Sequence, residues 1–275
     1  MLLGRSLLQV KPIQPIFTVM TWNTLSDQLS GFFPLVADEY LAWNHRSQRI
    51  LHELDSIGAD LYCLSEIDHY DDFIVPWMNE KGFAGIYQKK RGWHRDGICL
   101  LYNKKFSVSS QEAWYFPNSN QFALVVKLNF ASIEFIVVAT HLKSMHECEE
   151  ERAIQMEYLL QKLDLCAGNL PLIMCGDFNT EPGSKTYNIL SEHRLSFKSV
   201  YNKEGIEPIF TTFKFRDEFE RKTVDYIWIK GFDVACVLSM PSEETIGEKG
   251  LPSQIYPSDH LSLACQLNLQ INPSL

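Results

Sequence analysis

A chain of 275 residues, 45% hydrophobic and 21% charged, has the composition of an ordinary soluble globular protein and the length for one large domain or two small ones. Its formal charge of −9 argues against a broad electrostatic track for long nucleic acids, and no apolar run reaches the ~20 residues that span a bilayer. Seven scattered cysteines without a Cys-x-x-Cys pair argue against a disulfide framework and a thiolate zinc site.

The opening "MLLGRSLLQVKP" is apolar but too broken for the core of a signal peptide. Residues 1–15 are therefore predicted as an N-terminal extension. Runs of β type follow at 16–22, 61–67, 97–103, 122–128, 134–142, 171–178, 223–229, 233–240 and 261–269. Cys63, Cys99, Cys175 and Cys265 lie inside such runs and read as buried thiols of a reducing compartment. Helical periodicity appears over 38–57, with acids in its first turn, over 147–166, with Ala153, Met156, Leu159, Leu160 and Leu163 on one stripe, and over 184–193. No repeat or Gly/Ser-rich linker interrupts the chain, so a single domain is predicted. Many strands with a few helices suggest α/β layers, two sheets packed together with helices outside, although that count fits several folds.

Polar residues recur where these runs end. Asn23 closes the first, Glu66 the second, and His141 closes 134–142; Asp177 and Asn179 end "PLIMCGDFNTEP" (171–182). Asp225 opens 223–229, and Asp259 and His260 precede the last strand. Strand ends hold reactive groups at fixed positions, and hard oxygen ligands without clustered cysteines select Mg²⁺, with Mn²⁺ as the alternative. Each residue also has a bland reading: Asn23 and Asp259 as turn caps, His141 as a satisfied core histidine, Asp225 as a structural acceptor. Glu66 at the end of a buried run is harder to dismiss, because a charge there needs a partner. A separate feature is "QKKRGWHR" (88–95), where Lys89, Lys90, Arg91 and Arg95 surround a tryptophan; it reads equally as a local basic patch or a solvated loop.

The ordered set "WN", "SE", "TH", "GDFN", "DY" and "SDH" resembles the endonuclease/exonuclease/phosphatase superfamily over residues 16–270. "SEIDHYDDF", "ATHLKS", "CGDFNTEP", "TVDYIW" and "LPSQIYPSDHLSL" are most similar to its nocturnin-like branch, within the deadenylase group. The resemblance implies a four-layer αββα sandwich, two mixed sheets face to face with helices outside and the site at one end. It implies Glu66 as the main carboxylate on Mg²⁺, assisted by Asn23 and Asp259. Asp177 would orient and deprotonate the attacking water, Asn179 and His260 would contact the phosphate, Asp225 would orient His260, and His141 would donate to the transition state. Lys143, Asp96 and either Lys89 or Lys90 would line the substrate pocket. Two departures stand out: Ser65 where the family has Gln, and Met145 where nocturnin-like members carry a phosphate-gripping arginine. The implied activity is a metal-dependent phosphoester hydrolase of adenosine-containing nucleotides, with NADP(H) 2′-phosphatase first and 3′-to-5′ trimming of poly(A) RNA second; a non-catalytic interaction module is the third reading. A monomer without membrane association is expected, cytoplasmic or alternatively mitochondrial.

Overall fold

The computed structural model describes residues 1–12 and 16–270. Along the chain the strands are β1 (Leu7–Gln9), β2 (Phe17–Asn23), β3 (Leu61–Ile67), β4 (Phe83–Lys89), β5 (Gly97–Asn103), β6 (Ser107–Tyr115), β7 (Phe122–Phe130), β8 (Ile133–His141), β9 (Leu172–Asp177), β10 (Lys198–Ser199), β11 (Thr212–Phe215), β12 (Phe219–Lys222), β13 (Asp225–Lys230), β14 (Phe232–Leu238) and β15 (Leu263–Leu269). The α-helices are α1 (Asp38–Leu41), α2 (Trp43–Ile57), α3 (Val75–Lys81), α4 (Glu149–Cys166), α5 (Lys185–Ser191) and α6 (Glu243–Ile246). One sheet runs β1-β14-β15-β2-β3-β5-β4, the other β10-β13-β9-β8-β7-β6, and β11–β12 forms a separate hairpin. In each large sheet one central pair is parallel, β2 with β3 and β8 with β9.

The expected αββα sandwich is the observed architecture, and alternation along single strands shows why. Phe17 and Val19 of β2 face the layer between the sheets, while Met20 and Trp22 face the helices. In β9, Ile173 and Cys175 point to the inter-sheet layer and Leu172 and Met174 to the layer under α4. A strand covered on both faces reads as an unbroken apolar run. Each large apolar side chain so buried contributes about 1.5–3 kcal/mol. Phe17 anchors the middle layer, stacked on Phe135 at 5.4 Å and edge-on to Phe106 at 5.5 Å. Cys63, Cys99, Cys175 and Cys265 are buried free thiols, as expected.

Two features differ from the sequence expectation, and the N-terminal segment adds contacts of its own. Strands β4 and β6 lie outside the predicted runs because they are sheet edges; β6 exposes much of its length, and its sequence is correspondingly polar. The predicted helix over 38–57 divides at Ala42, whose extended backbone (φ −60°, ψ 136°) separates α1 from α2. The N-terminal segment is built into the layers: β1 pairs with β14, and buried Arg5 donates to Ser262 Oγ at 2.9 Å and faces Glu53 at 3.6 Å. The boundary expected between 15 and 16 adjoins residues 13–15, which lie outside the described residues.

Candidate active site

Strand register brings the polar strand ends together. Parallel pairing sets Asn23 opposite Ser65, next to Glu66, and His141 opposite Asp177. The antiparallel partner β13 sets Asp225 opposite Asp177, and β15 pairs Leu263 with Thr21, so 258–260 arrive at the same end. The result is a cleft of about 840 Å³ whose wall includes Glu66, Lys90, Asp96, His141, Lys143, Asp177, Asn179, Asp259 and His260. Asn23 and Asp225 lie buried behind that wall.

Local backbone aims the two central carboxylates. The β3–β5 register shifts between Ser65 and Ile67, so Glu66 occupies a bulge, with φ of +58°. Asn179 is likewise left-handed, at +50°. A non-glycine residue held there costs on the order of 1–3 kcal/mol and persists where its surroundings over-determine it. At Gly176 (φ +141°) a Cβ would stand 1.8 Å from the Thr140 carbonyl oxygen, so only glycine lets β9 pack against β8 at this point.

Asp177 is the hub. Its Oδ2 accepts from Asn23 Nδ2 at 3.0 Å and faces His141 Nε2 at 3.6 Å and His260 Nε2 at 3.7 Å; its Oδ1 accepts from the Asn179 amide at 2.9 Å. The same Asn23 amide donates to Glu66 Oε1 at 2.9 Å, and Ser26 N donates to Glu66 Oε2 at 3.0 Å. Asn179 Nδ2 donates to the Leu142 carbonyl at 3.1 Å. His260 Nδ1 donates to Asp225 Oδ2 at 2.9 Å, an oxygen that also accepts from Thr211 Oγ1 at 2.7 Å.

Burial and charge set the protonation states apart. Burial pushes the Asp177 carboxyl up to about 6, against the pull of the His260 charge. Burial opposes the His260 imidazolium, but the carboxylates of Asp225, Asp259 and Asp177 raise it to about 9. Burial, reinforced by the Lys90 charge, drives the His141 imidazole well below its ordinary value. Burial also opposes ionisation of Asp259, yet Lys214, His260 and Arg216 hold it well below the usual carboxylate range. One imidazole is therefore a cation and the other neutral, an arrangement suited to dividing proton-transfer and hydrogen-bonding roles.

The donor chemistry fits a hard divalent cation. Glu66 is half-buried on the cleft wall, and each of its oxygens accepts one hydrogen bond and keeps acceptor capacity. The ligand atoms of Asp177, Asp225 and His260 also lie within 4.8 Å of one another. Within that triad, however, His260 Nδ1 is already engaged with Asp225, so the contact there is a proton-bearing hydrogen bond.

The structure separates Lys89 from Lys90. Adjacent positions at a strand end face opposite ways: Lys90 enters the cleft and pairs with Asp96 at 2.6 Å, while Lys89 is not among the lining residues. Ser65 is buried with its hydroxyl unpartnered, and Met145 is 62% exposed. Sequence reasoning missed Lys214 and Arg216, which face Asp259 at 2.7 and 3.5 Å, and Arg46, which is buried and donates twice to the Leu25 carbonyl of the loop that grips Glu66. The signal for the first two was the alternation in "TTFKFR", Thr212, Lys214 and Arg216 against Phe213 and Phe215. Arg46 had none beyond being a cation in an amphipathic helix.

Residues 20–260 match the family model described as Endonuclease/Exonuclease/phosphatase family. Rat (Rattus norvegicus) nocturnin is 34% identical over 291 residues, 94% of this chain and 67% of that protein; the chain thus spans about two thirds of its length. The structure of the human nocturnin catalytic domain with bound sulfate anion has a TM-score of 0.82 at 30% identity, covering 97% of this chain and 98% of that one. The structure of ANGEL2, a 2′,3′-cyclic phosphatase, in complex with adenosine-2′,3′-vanadate has a TM-score of 0.87 at 25% identity, covering 98% and 99%.

Proposed function

The chain belongs to the endonuclease/exonuclease/phosphatase family and is a phosphoester hydrolase, and from that premise we propose that it removes the 2′-phosphate from NADP(H). The observation that carries this reading is the convergence on Asp177 of Asn23, His141, His260 and Asn179, in a cleft whose wall also bears Glu66. Likeness to nocturnin, and to a phosphatase whose structure holds an adenosine substituted at the ribose 2′ and 3′ oxygens, supports an adenosine nucleotide phosphorylated on its ribose. A net charge of −9 favours a small dinucleotide over a long polymer.

Glu66, with Asn23 and Asp259, is the proposed seat of a divalent cation, Mg²⁺ first and Mn²⁺ second. When bound, such an ion neutralises charge developing on the phosphate oxygens. Asp177 takes the proton of the attacking water as the new oxygen–phosphorus bond forms, and the ribose oxygen leaves with the electron pair of the broken bond and takes a proton from solvent. The His260 imidazolium, held by Asp225, and the neutral His141 imidazole donate to non-bridging oxygens, together with Asn179. Each such donor is typically worth about 3 kcal/mol. Lys90, Lys143, Lys214 and Arg216 supply cationic charge to the wall, and Asp96 fixes Lys90.

A second reading, 3′-to-5′ trimming of oligoadenylate, is favoured by a further cleft of about 490 Å³ that shares Ser144, Asn179, Lys214, Arg216 and His260 with the first. That continuation gives room on both sides of the reacting phosphate. The test is phosphate release from NADPH beside shortening of a labelled oligo(A), with Mg²⁺ and with chelator, wild type against Glu66→Ala. Metal-dependent phosphate release that Glu66→Ala removes is the expected result. Oligo(A) shortening alone overturns the first reading in favour of the second.

A further inference from the structure

We infer that Trp93, at the tip of the β4–β5 hairpin, is a stacking platform for the second heteroaromatic base of the substrate, the one not carried by the ribose that bears the scissile phosphate. This rests on the nucleotide reading above. Of the six tryptophans, Trp22, Trp77, Trp114 and Trp228 are buried and Trp43 stacks on His69 at 4.0 Å. Trp93 is 99% exposed, the largest apolar side chain the protein leaves wholly in water.

Its mounting is held even though its ring is free. Lys90 N donates to the Asp96 carbonyl at 3.0 Å, closing the base of the tip, and the Lys90–Asp96 ion pair reinforces it. The Arg91 guanidinium lies 3.6 Å from the centre of the Tyr115 ring, and the Tyr115 hydroxyl donates to the Lys89 carbonyl at 3.2 Å. Gly92 then turns the chain at φ +78° and presents Trp93 outward. Arg91 and His94, on either side of it in sequence, line the cleft, while Trp93 does not. In this reading the indole, carried by the tip that supplies Arg91 and His94 to the cleft wall, meets the part of a ligand that leaves the cleft.

A flat aromatic ring between cations is the arrangement that binds a base next to a phosphate: stacking on the π-face, charge on the linking phosphates. Two sources offer that chemistry, the pyridine ring of a dinucleotide across its pyrophosphate and the neighbouring purine of an oligoadenylate.

The test compares kcat/KM for NADPH and for oligo(A), each relative to adenosine 2′-monophosphate, which has one base only. Base–aromatic stacking predicts that Trp93→Ala lowers at least one of these ratios roughly ten-fold, about 1.4 kcal/mol, and that Trp93→Phe restores most of it. The ratio that falls identifies the source. Unchanged ratios, or a Trp93→Phe as impaired as Trp93→Ala, overturn the inference while leaving the hydrolase reading standing. A readout independent of turnover is the tryptophan emission of the Asp177→Asn protein titrated with NADP⁺ and with oligo(A) in Mg²⁺. Quenching by one of them that vanishes in Asp177→Asn/Trp93→Phe supports the platform, and no Trp93-dependent quenching by either overturns it. If the wild type turns over none of these substrates, the functional reading fails and the emission titration decides the inference by itself.

Discussion

Asn23, Glu66, His141, Asp177 and Asp225 stand on strand ends fixed by pairing and packing, whereas Lys90, Arg91 and Trp93 stand on a hairpin tip pinned mainly at its base. On the floor, a single register determines several distances at once: the pairing of β8, β9 and β13 sets His141, Asp177 and Asp225 side by side. At the rim the anchors are local, Lys90 pairing with Asp96 and Arg91 lying over the Tyr115 ring, while the Trp93 ring is wholly exposed. In the proposed function the floor would carry the reaction chemistry, which tolerates little displacement, and the rim would select the remainder of the substrate, which a hairpin can vary without disturbing the sheets.

Breaking the floor at its hub should have the largest effect. Asp177→Asn is expected to lower kcat about 10³-fold, the range of a general base. Its thermal midpoint without metal should be no lower than that of the wild type, because a buried carboxylate pushed up to about 6 is lost. Steady-state kinetics and a thermal melt on the same preparation check both halves, and a collapsed melt would make Asp177 a structural residue.

Gly176→Ala attacks the same floor through packing. A Cβ 1.8 Å from the Thr140 oxygen must push β8 and β9 apart. A loss of about 3 kcal/mol in denaturant unfolding is expected, at the upper end for overpacking. A loss under about 0.5 kcal/mol would mean that the two strands separate easily and that the floor is not rigid.

The electrostatics of the floor should show in pH dependence without metal. His260 is raised from 6.5 to about 9 in the folded state, so its imidazolium stabilises the fold fully below about pH 6.5 and ceases to do so as the pH passes 9. With chelator present, the melting temperature of the wild type should fall between these limits more than that of His260→Gln. Parallel curves would show that the carboxylates around His260 do not raise it.

The smallest effects belong to the rim. Lys90→Gln should raise KM for the nucleotide about ten-fold, near 1.4 kcal/mol, while Lys89→Gln should stay within about two-fold, as expected for an exposed charge. Equal effects would place both lysines on the substrate and contradict the separation seen in the cleft.

Much of the floor was legible in the sequence because its geometry is periodic. A doubly covered strand writes itself as an apolar run, and the polar residue that ends the run marks the mouth, as Asn23, Glu66, His141 and Asp177 each did. The edge strands β4 and β6 were illegible by the same logic, since an edge lacks the continuous cover that produces such a run. Lys214 and Arg216 lie on and just beyond a hairpin strand of four residues, too short to stand out.

The sequence by itself determined the layered α/β class, the polar strand ends and, through resemblance, the family, since strand periodicity and local motifs are properties of neighbouring residues. Only the tertiary structure decided that Glu66 sits in a bulge, that Asp259 is paired with Lys214, that Lys90 and not Lys89 enters the cleft, and that Trp93 is wholly exposed. The first two outcomes depend on a pairing register and on a contact between segments far apart in the chain, which no local pattern encodes, and the last two on where the β4–β5 tip sits against the cleft.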